Sequence, residues 1–326
     1  MFQRFSKYHG AGNDFLIADN RDGHLSLSEE VIRHLCDRHT GFGADGVMLL
    51  ESGSGKDFNM VYFNPDGSGG MMCGNGGRCI VAFAADCGAV SPDSTIVFDA
   101  ADGEHIASIP ENGMKGEKTV RLKMKDVSGI TAYPEEDGFF LDTGTRHYVK
   151  FVSGLADYPV LSEGPVLRHD SRFAPVGTNV NFVEVAGGPA STFSAIGTAE
   201  SNPSTLEAEG QASTVRTICT AKGDSSTLEA EGQASTVLSI RTFEKGVEYE
   251  TLACGTGIVA SAMASFVRGV PPSRTAGETV AYSVRAAIAD LSVEFVPHRD
   301  NGLFCASDVY LTGPACFVGY VEVQID

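Results

Sequence analysis

Two short motifs, far apart in the chain, share one form: Cys73-Gly74-Asn75-Gly76 and Cys254-Gly255-Thr256-Gly257. Each ends a glycine-punctuated loop and opens an apolar stretch at helical spacing. The first runs from Arg78 to Cys87 and is closed by Gly88; the second continues through Ile258, Val259, Met263 and Phe266. A repeated loop-to-helix entrance implies internal duplication, hence two similar halves. The segment between them, Asp126 to Gly138, is rich in Gly, Pro and acidic residues, as connections between structural units are. The expected organisation is an N-terminal half over residues 1–130 and a C-terminal half over 131–313. The last strand, about 314–326, is a candidate to return and complete the first half.

The remainder reads mostly as short strands bounded by turns: residues 2–9, 15–18, 47–51, 58–63, several within 95–125, then 139–143, 147–152, 180–185 and 238–243. A helix is expected between the second and third of these. Ser26-Leu27-Ser28-Glu29 has the Ser-x-x-Glu form of a capping box, and Val31, Ile32 and Leu35 follow at helical spacing up to Gly41. One stretch departs from this pattern. Residues 204–215 and 226–237 are a perfect tandem repeat of Ser-Thr-Leu-Glu-Ala-Glu-Gly-Gln-Ala-Ser-Thr-Val, inside a low-complexity segment from about residue 186 to 237. Such a segment is expected to be an insertion, as a surface excursion, an extra hairpin or disorder, without a catalytic part.

Composition narrows the function. The chain has 326 residues, 42% of them hydrophobic, enough for two ordinary cores. Its net charge of −18, from 42 Asp and Glu against 24 Lys and Arg, comes with no basic cluster, so nucleic acid is not an expected partner. No apolar run reaches the roughly 18 residues a membrane span needs, and the N-terminus lacks the apolar core of a secretory signal. A cytoplasmic protein acting on a small molecule is expected, and a homodimer is compatible with that. The eight cysteines show no Cys-x2-Cys spacing, so neither a zinc site nor any other metal is expected. Cys36, Cys79, Cys87, Cys219, Cys305 and Cys316 are read as small buried hydrophobes.

The two motif cysteines are different. A thiol acts as a base only as thiolate, and the unpaired N–H groups at a helix N-terminus lower its pKa. Glycine on the C-terminal side of each cysteine lets a carboxylate approach those N–H groups. If the halves face each other, Cys73 and Cys254 flank one carbon. One removes its proton as thiolate and the other returns a proton from the opposite face, inverting configuration.

At this point several blocks together resemble the diaminopimelate epimerases: His9-Gly10-Ala11-Gly12-Asn13-Asp14-Phe15, Asn64-Pro65-Asp66-Gly67-Ser68, Cys73-Gly74-Asn75-Gly76-Gly77-Arg78-Cys79, Gly177-Thr178-Asn179-Val180-Asn181-Phe182, Glu244-Lys245-Gly246 and Glu250-Thr251-Leu252-Ala253-Cys254-Gly255-Thr256-Gly257. The resemblance runs from Phe5 to Ile325, interrupted by the insertion. It implies a mixed α/β (α+β) fold of two pseudo-symmetric halves, each a curved, mostly antiparallel sheet around a central helix, with the active site in the cleft between them. It further implies interconversion of LL- and meso-diaminopimelate without pyridoxal phosphate or any other cofactor, on the route to lysine and, in many bacteria, to cell-wall peptide.

Carried across by position, Cys73 and Cys254 resemble the acid/base thiols, and Gly74, Asn75, Gly255 and Thr256 the cradle of the reacting carboxylate. Asn13, Asn64, Asn179 and Glu244 resemble substrate contacts, with Lys245 beside them and His147 in a supporting place. The chain departs from the family's usual pattern at Lys245, where arginine is common, and at Gly144-Thr145-Arg146-His147, where Gly-Asn-Pro-His is usual. An ammonium grips a carboxylate as a point charge, whereas a guanidinium grips it as a fork. Two alternatives share the fold: a two-cysteine racemase for a proline-type substrate, and a non-catalytic thiol redox or binding protein.

Overall fold

The computed structural model describes residues 2–70, 72–113, 116–186 and 236–325. In chain order the first set of elements is β1 (Phe2–Gly10), β2 (Asn13–Asp19), α1 (Glu29–Cys36), β3 (Val47–Ser52), β4 (Phe58–Phe63), α2 (Gly74–Asp86), β5 (Ile96–Ala100), β6 (Gly103–Asn112) and β7 (Glu117–Lys123). Two short strands follow, β8 (Val127–Ser128) and β9 (Thr131–Tyr133). The second set is β10 (Gly138–Asp142), β11 (Arg146–Phe151), α3 (Val160–Arg168), β12 (Asn179–Ala186), β13 (Val237–Glu244), β14 (Tyr249–Thr251), α4 (Gly255–Arg268), β15 (Arg274–Ala276), β16 (Thr279–Arg285), β17 (Asp290–Asp300) and β18 (Leu303–Gln324).

The pairings make the duplication explicit. From β1 to β7, neighbours pair antiparallel, parallel, antiparallel, parallel, antiparallel and antiparallel. The series β10, β11, β12, β13, β16, β17, β18 repeats that order step for step. In both series a helix carries each parallel crossover, as parallel neighbours require. Helices α1 and α2 do so in the first half, α3 and α4 in the second. Strand β18 joins the two: it pairs with β17 as far as Thr312, with β7 from Gly313, and with β1 over Cys316 to Gln324.

Each half wraps its sheet around one of the motif helices. In α2 every residue from Gly74 to Ala84 is buried, and in α4 Gly255 and every residue from Gly257 to Ser265. A helix buried on all sides must be apolar or internally satisfied. In α4 the hydroxyls of Ser261 and Ser265 donate to the carbonyls of Gly257 and Ser261, at 2.7 and 2.8 Å. Ile80, Val81, Ile258, Val259 and Met263 join one continuous core with Phe15, Met48, Phe98, Tyr282 and Phe295.

Three helical expectations change. Ser28, not Ser26, caps α1, accepting from the Val31 N–H, so Glu29 is the first helical residue and no reciprocal capping box forms. The helix stops at Cys36, before Gly41, because the Asp37 carboxylate accepts the His39 and Thr40 N–H groups and turns the chain. Helix α2 begins at Gly74, so the glycines of its motif form its first turn. Helix α3 had no counterpart in the sequence reading, since Gly164-Pro165 punctuates it. Packing overrides that local signal: a Cβ on Gly164 would lie 2.6 Å from Phe243 Cβ, so only glycine lets α3 lie this close to β13.

The repeats at 204–215 and 226–237 lie almost wholly outside the described residues, as does Cys219. Their two ends are defined: Ala186 of β12 faces Val237 of β13 across an antiparallel pair. The chain therefore leaves and returns at one end of this pair, and Asn179 and Glu244 lie at the other.

Placing valine at Gly164 is expected to destabilise the fold by about 1–3 kcal/mol through overpacking against Phe243, as measured by urea unfolding. An unchanged midpoint would contradict the close α3–β13 contact.

Candidate active site

The two motif helices meet end to end. A Cβ on Gly255 would lie 3.4 Å from the Gly74 Cα, and one on Gly74 3.7 Å from the Gly255 Cα. Cys73 and Cys254 are the N-cap residues of these helices, both with extended backbone, so both thiols sit at the junction of the halves. Cys73 Sγ accepts the Gly76 N–H at 3.3 Å and lies 3.9 Å from Asn13 Oδ1. Cys254 Sγ lies 3.4 Å from the Thr256 hydroxyl. Asn75 ties the halves together, its Nδ2 donating to the Ala253 carbonyl at 3.1 Å and to Asn13 Oδ1 at 3.4 Å.

Burial outweighs the helix N-termini in setting the thiols. Both stand above the ordinary cysteine value, contrary to the lowering expected from sequence. Desolvation is the first cause for each, and the Gly76 N–H opposes it at Cys73. Cys254 is pushed up to about 12, by burial and then by the Glu244 charge, against donation from Thr256 and Gly257. Glu244 is itself raised by burial, with Asp45 adding like charge, while the Thr251 hydroxyl at 2.9 Å holds its carboxylate.

A polar network backs Cys254. His147 is fully buried. The Thr242 hydroxyl donates to Asn181 Oδ1 at 3.0 Å, which turns the Asn181 amide nitrogen toward His147 Nδ1, also at 3.0 Å. His147 Nδ1 therefore accepts, and its proton resides on Nε2, 2.9 Å from the hydroxyls of both Thr145 and Thr256. This leaves the Thr256 hydroxyl able to donate toward Cys254. Asn179 accepts the Lys245 N–H at 2.8 Å and donates to the Arg146 carbonyl at 3.1 Å, fixing the loops that carry Lys245 and Thr145.

On the other side Asp45 orients Asn13, accepting its Nδ2 at 2.6 Å, and Arg38 bridges Asp45 to Asp14. Asn64 stands apart. Its amide donates to Ser68 and Gly69 within its own loop and reaches no other residue of the group. A cavity of about 640 Å³ reaches the helix junction, lined there by Met72, Gly74, Met124, Thr143, Thr145 and Thr256.

The structure thus brings together Cys73, Gly74, Asn75, Asn13, Gly255, Cys254, Thr256, His147, Asn179 and Lys245, with Glu244 acting electrostatically on both thiols. Sequence reasoning gave no part to Asn181, Thr242, Asp45 or Arg78. Asn181 had a usable signal, since it lies two residues from Asn179 on one strand and so shares its face. Asp45 and Thr242 had none, because their partners are set only by tertiary pairing.

Residues 5–127 match the family model described as diaminopimelate epimerase. The chain is 34% identical to a diaminopimelate epimerase of Flavobacterium psychrophilum, over 96% of each sequence. It is 36% identical to one of Chlorobaculum tepidum, over 94% of this chain and 95% of that one. The chain belongs to the diaminopimelate epimerase family. The same fold occurs in a probable proline racemase from Agrobacterium radiobacter K84, 15% identical, with a TM-score of 0.61 over 99% of this chain and 93% of that one. Against the usual diaminopimelate epimerase pattern, Thr145 places a hydroxyl in the His147–Thr256 network. No helix among the described residues is long and apolar enough to cross a membrane.

His147 is depressed to about 3 from its ordinary 6.5, by burial first and by the Lys245 charge second. The unfolded chain takes up this proton near 6.5 while the folded site refuses it until about 3. His147 thus contributes stability that is full above 6.5 and is lost as pH falls through that window. A His147→Gln variant is expected to lose about 3 kcal/mol less than the parent between pH 6.5 and about pH 4, by urea unfolding at each pH. Identical pH slopes would contradict a neutral, buried imidazole.

Proposed function

We propose that the protein interconverts LL- and meso-diaminopimelate by a two-base reaction of Cys73 and Cys254, without a cofactor. The observation that carries this reading is the pair of N-cap cysteines at two helix entrances that touch through Gly74 and Gly255. The substrate α-carbon lies between the sulfurs. One thiolate takes the α-proton, leaving the bonding electron pair on the carbon, and the other thiol delivers its proton to the opposite face. The cysteines end with exchanged protonation, ready for the reverse turnover.

The α-proton of an amino acid is weakly acidic, so the developing charge must be held. The N–H groups of Gly74, Asn75, Gly255 and Thr256 cradle the reacting carboxylate at two helix N-termini, and the buried site excludes water. Asn13, Asn64, Asn179, Glu244 and Lys245 bind the remainder of the substrate, much of them at its distal amino-acid end. His147 acts through Thr256 on Cys254. The halves divide at residues 130/131, with 314–326 completing the first. The reading calls for a cytoplasmic enzyme of lysine and cell-wall precursor synthesis that acts on a free amino acid; it needs neither nucleic acid nor membrane and is compatible with a homodimer.

A proline-type racemase shares the fold, but a proline ring has no second amino-acid centre for Asn179, Glu244 and Lys245 to hold. Purified, reduced protein is expected to convert LL-diaminopimelate to the meso form without added pyridoxal phosphate or metal, and to leave L-proline unchanged, as followed by chiral chromatography. Faster inversion of proline would replace the assignment. Cys73→Ala and Cys254→Ala should each lose at least about a thousandfold in turnover, and retained activity in either would remove that thiol from the scheme. Because burial raises both thiols, kcat/KM should climb from neutral pH into the alkaline range before falling as the second thiol ionises. A flat profile would contradict a thiolate base.

A further inference from the structure

The duplicated helices differ in charge at one buried position. Counting from each N-cap cysteine, the sixth residue of the run is Arg78 in α2 and Val259 in α4, and both side chains are fully buried. Arg78 donates to the Gly74 carbonyl at 3.0 Å, to Asn75 Oδ1 at 2.9 Å and to the Pro314 carbonyl at 3.4 Å. All of these acceptors are neutral. The titratable neighbours that act on it are the thiols of Cys79, Cys73 and Cys316, and among the described residues no carboxylate pairs with it. An isolated guanidinium withdrawn from water is costly and favours a nearby anion.

We propose that Arg78 is the positioning charge that makes Cys73, and not Cys254, the thiolate of the free site. The inference rests on the two-thiol reading above and adds to it which thiol is ionised before substrate arrives. Of the two protons on the pair, one leaves to solvent from Cys73 and the other stays on Cys254. The geometry is unequal in several ways. Cys73 is half-buried, accepts a backbone N–H and shares the first turn of α2 with the carbonyl that Arg78 grips. Cys254 is buried and has Val259 in the corresponding place.

Other titratable groups also surround the pair. Glu244 on β13 faces both sulfurs and ranks higher among the causes at Cys254 than at Cys73. Tyr62 on β4 also faces Cys73, with its phenol held protonated by burial. Arg78 pulls Cys73 downward, while Lys245, the cation on the other side, acts on His147 behind Thr256 and Cys254. The same guanidinium holds Asn75, whose amide joins the halves at Ala253, so the charge and the cradle are organised by one side chain.

The test reads each thiol alone, without relying on turnover. Ultraviolet thiolate absorbance is titrated in Cys254→Ala, which reports Cys73, and in Cys73→Ala, which reports Cys254, each against the double variant. The Cys73 midpoint is expected to lie at least about one pH unit below that of Cys254. In the Cys254→Ala background, Arg78→Met should raise the Cys73 midpoint by at least about one unit, and Arg78→Lys should raise it less. A Cys73 midpoint at or above that of Cys254 overturns the proposal, as does a midpoint unmoved in folded Arg78→Met. If Arg78→Met does not fold, the order of the two midpoints in the Arg78-containing proteins decides. Loss of turnover in the single cysteine variants tests the two-thiol reading separately, so failure of one is distinguishable from failure of the other.

Discussion

Everything in the site depends on two helix N-termini placed against each other. The first turns of α2 and α4 touch through Gly74 and Gly255, and a Cβ on either would crowd the Leu311 side chain, 3.2 Å away. Each N-terminus carries roughly half a positive charge in unpaired N–H groups, so two facing ends repel unless an anion lies between them. The contact is held by the body of the protein: each helix is buried inside its own sheet, and β18 runs through both halves. A scaffold with this cost built into it is suited to a carboxylate ligand.

The same burial that makes those N–H groups effective works against the thiols. Cys73 and Cys254 both stand above the ordinary cysteine value, because removing sulfur from water penalises the thiolate more than the helix ends help it. Reactivity is then a matter of local corrections, and these are unequal between halves that otherwise match strand for strand. Arg78 has Val259 as its counterpart, and the His147–Thr256 network backs Cys254 alone. The topology is symmetric about the two thiols, and the side chains around them are not.

Much of this was legible in the sequence, for physical reasons. The paired Cys-Gly-polar-Gly entrances announce the duplication because a helix start needs a cap and a close approach needs glycine, and both constraints are local. Strand positions followed from alternation and turn residues. Helix α3 was not legible, since Gly164-Pro165 reads as a break and the reason for glycine is the distant Phe243. The pull of burial on the cysteines was also hidden, because desolvation is a property of the packed interior and not of the motif. Arg78 was visible as a charged residue at the head of an apolar helix, yet its pairing with the neutral Pro314 carbonyl and Asn75 amide appears only once β18 and Asn75 are in place.

The most direct test of the account is a proton NMR time course with LL-diaminopimelate in deuterated water, comparing label in product and in unconverted substrate at early times. Two opposed thiols predict meso product carrying solvent deuterium at the inverted α-carbon while the remaining LL pool stays protiated. Deuterium entering the LL pool as fast as the product, or product that keeps the substrate's own proton, would mean a single base working on one face, and would contradict the pairing of Cys73 with Cys254.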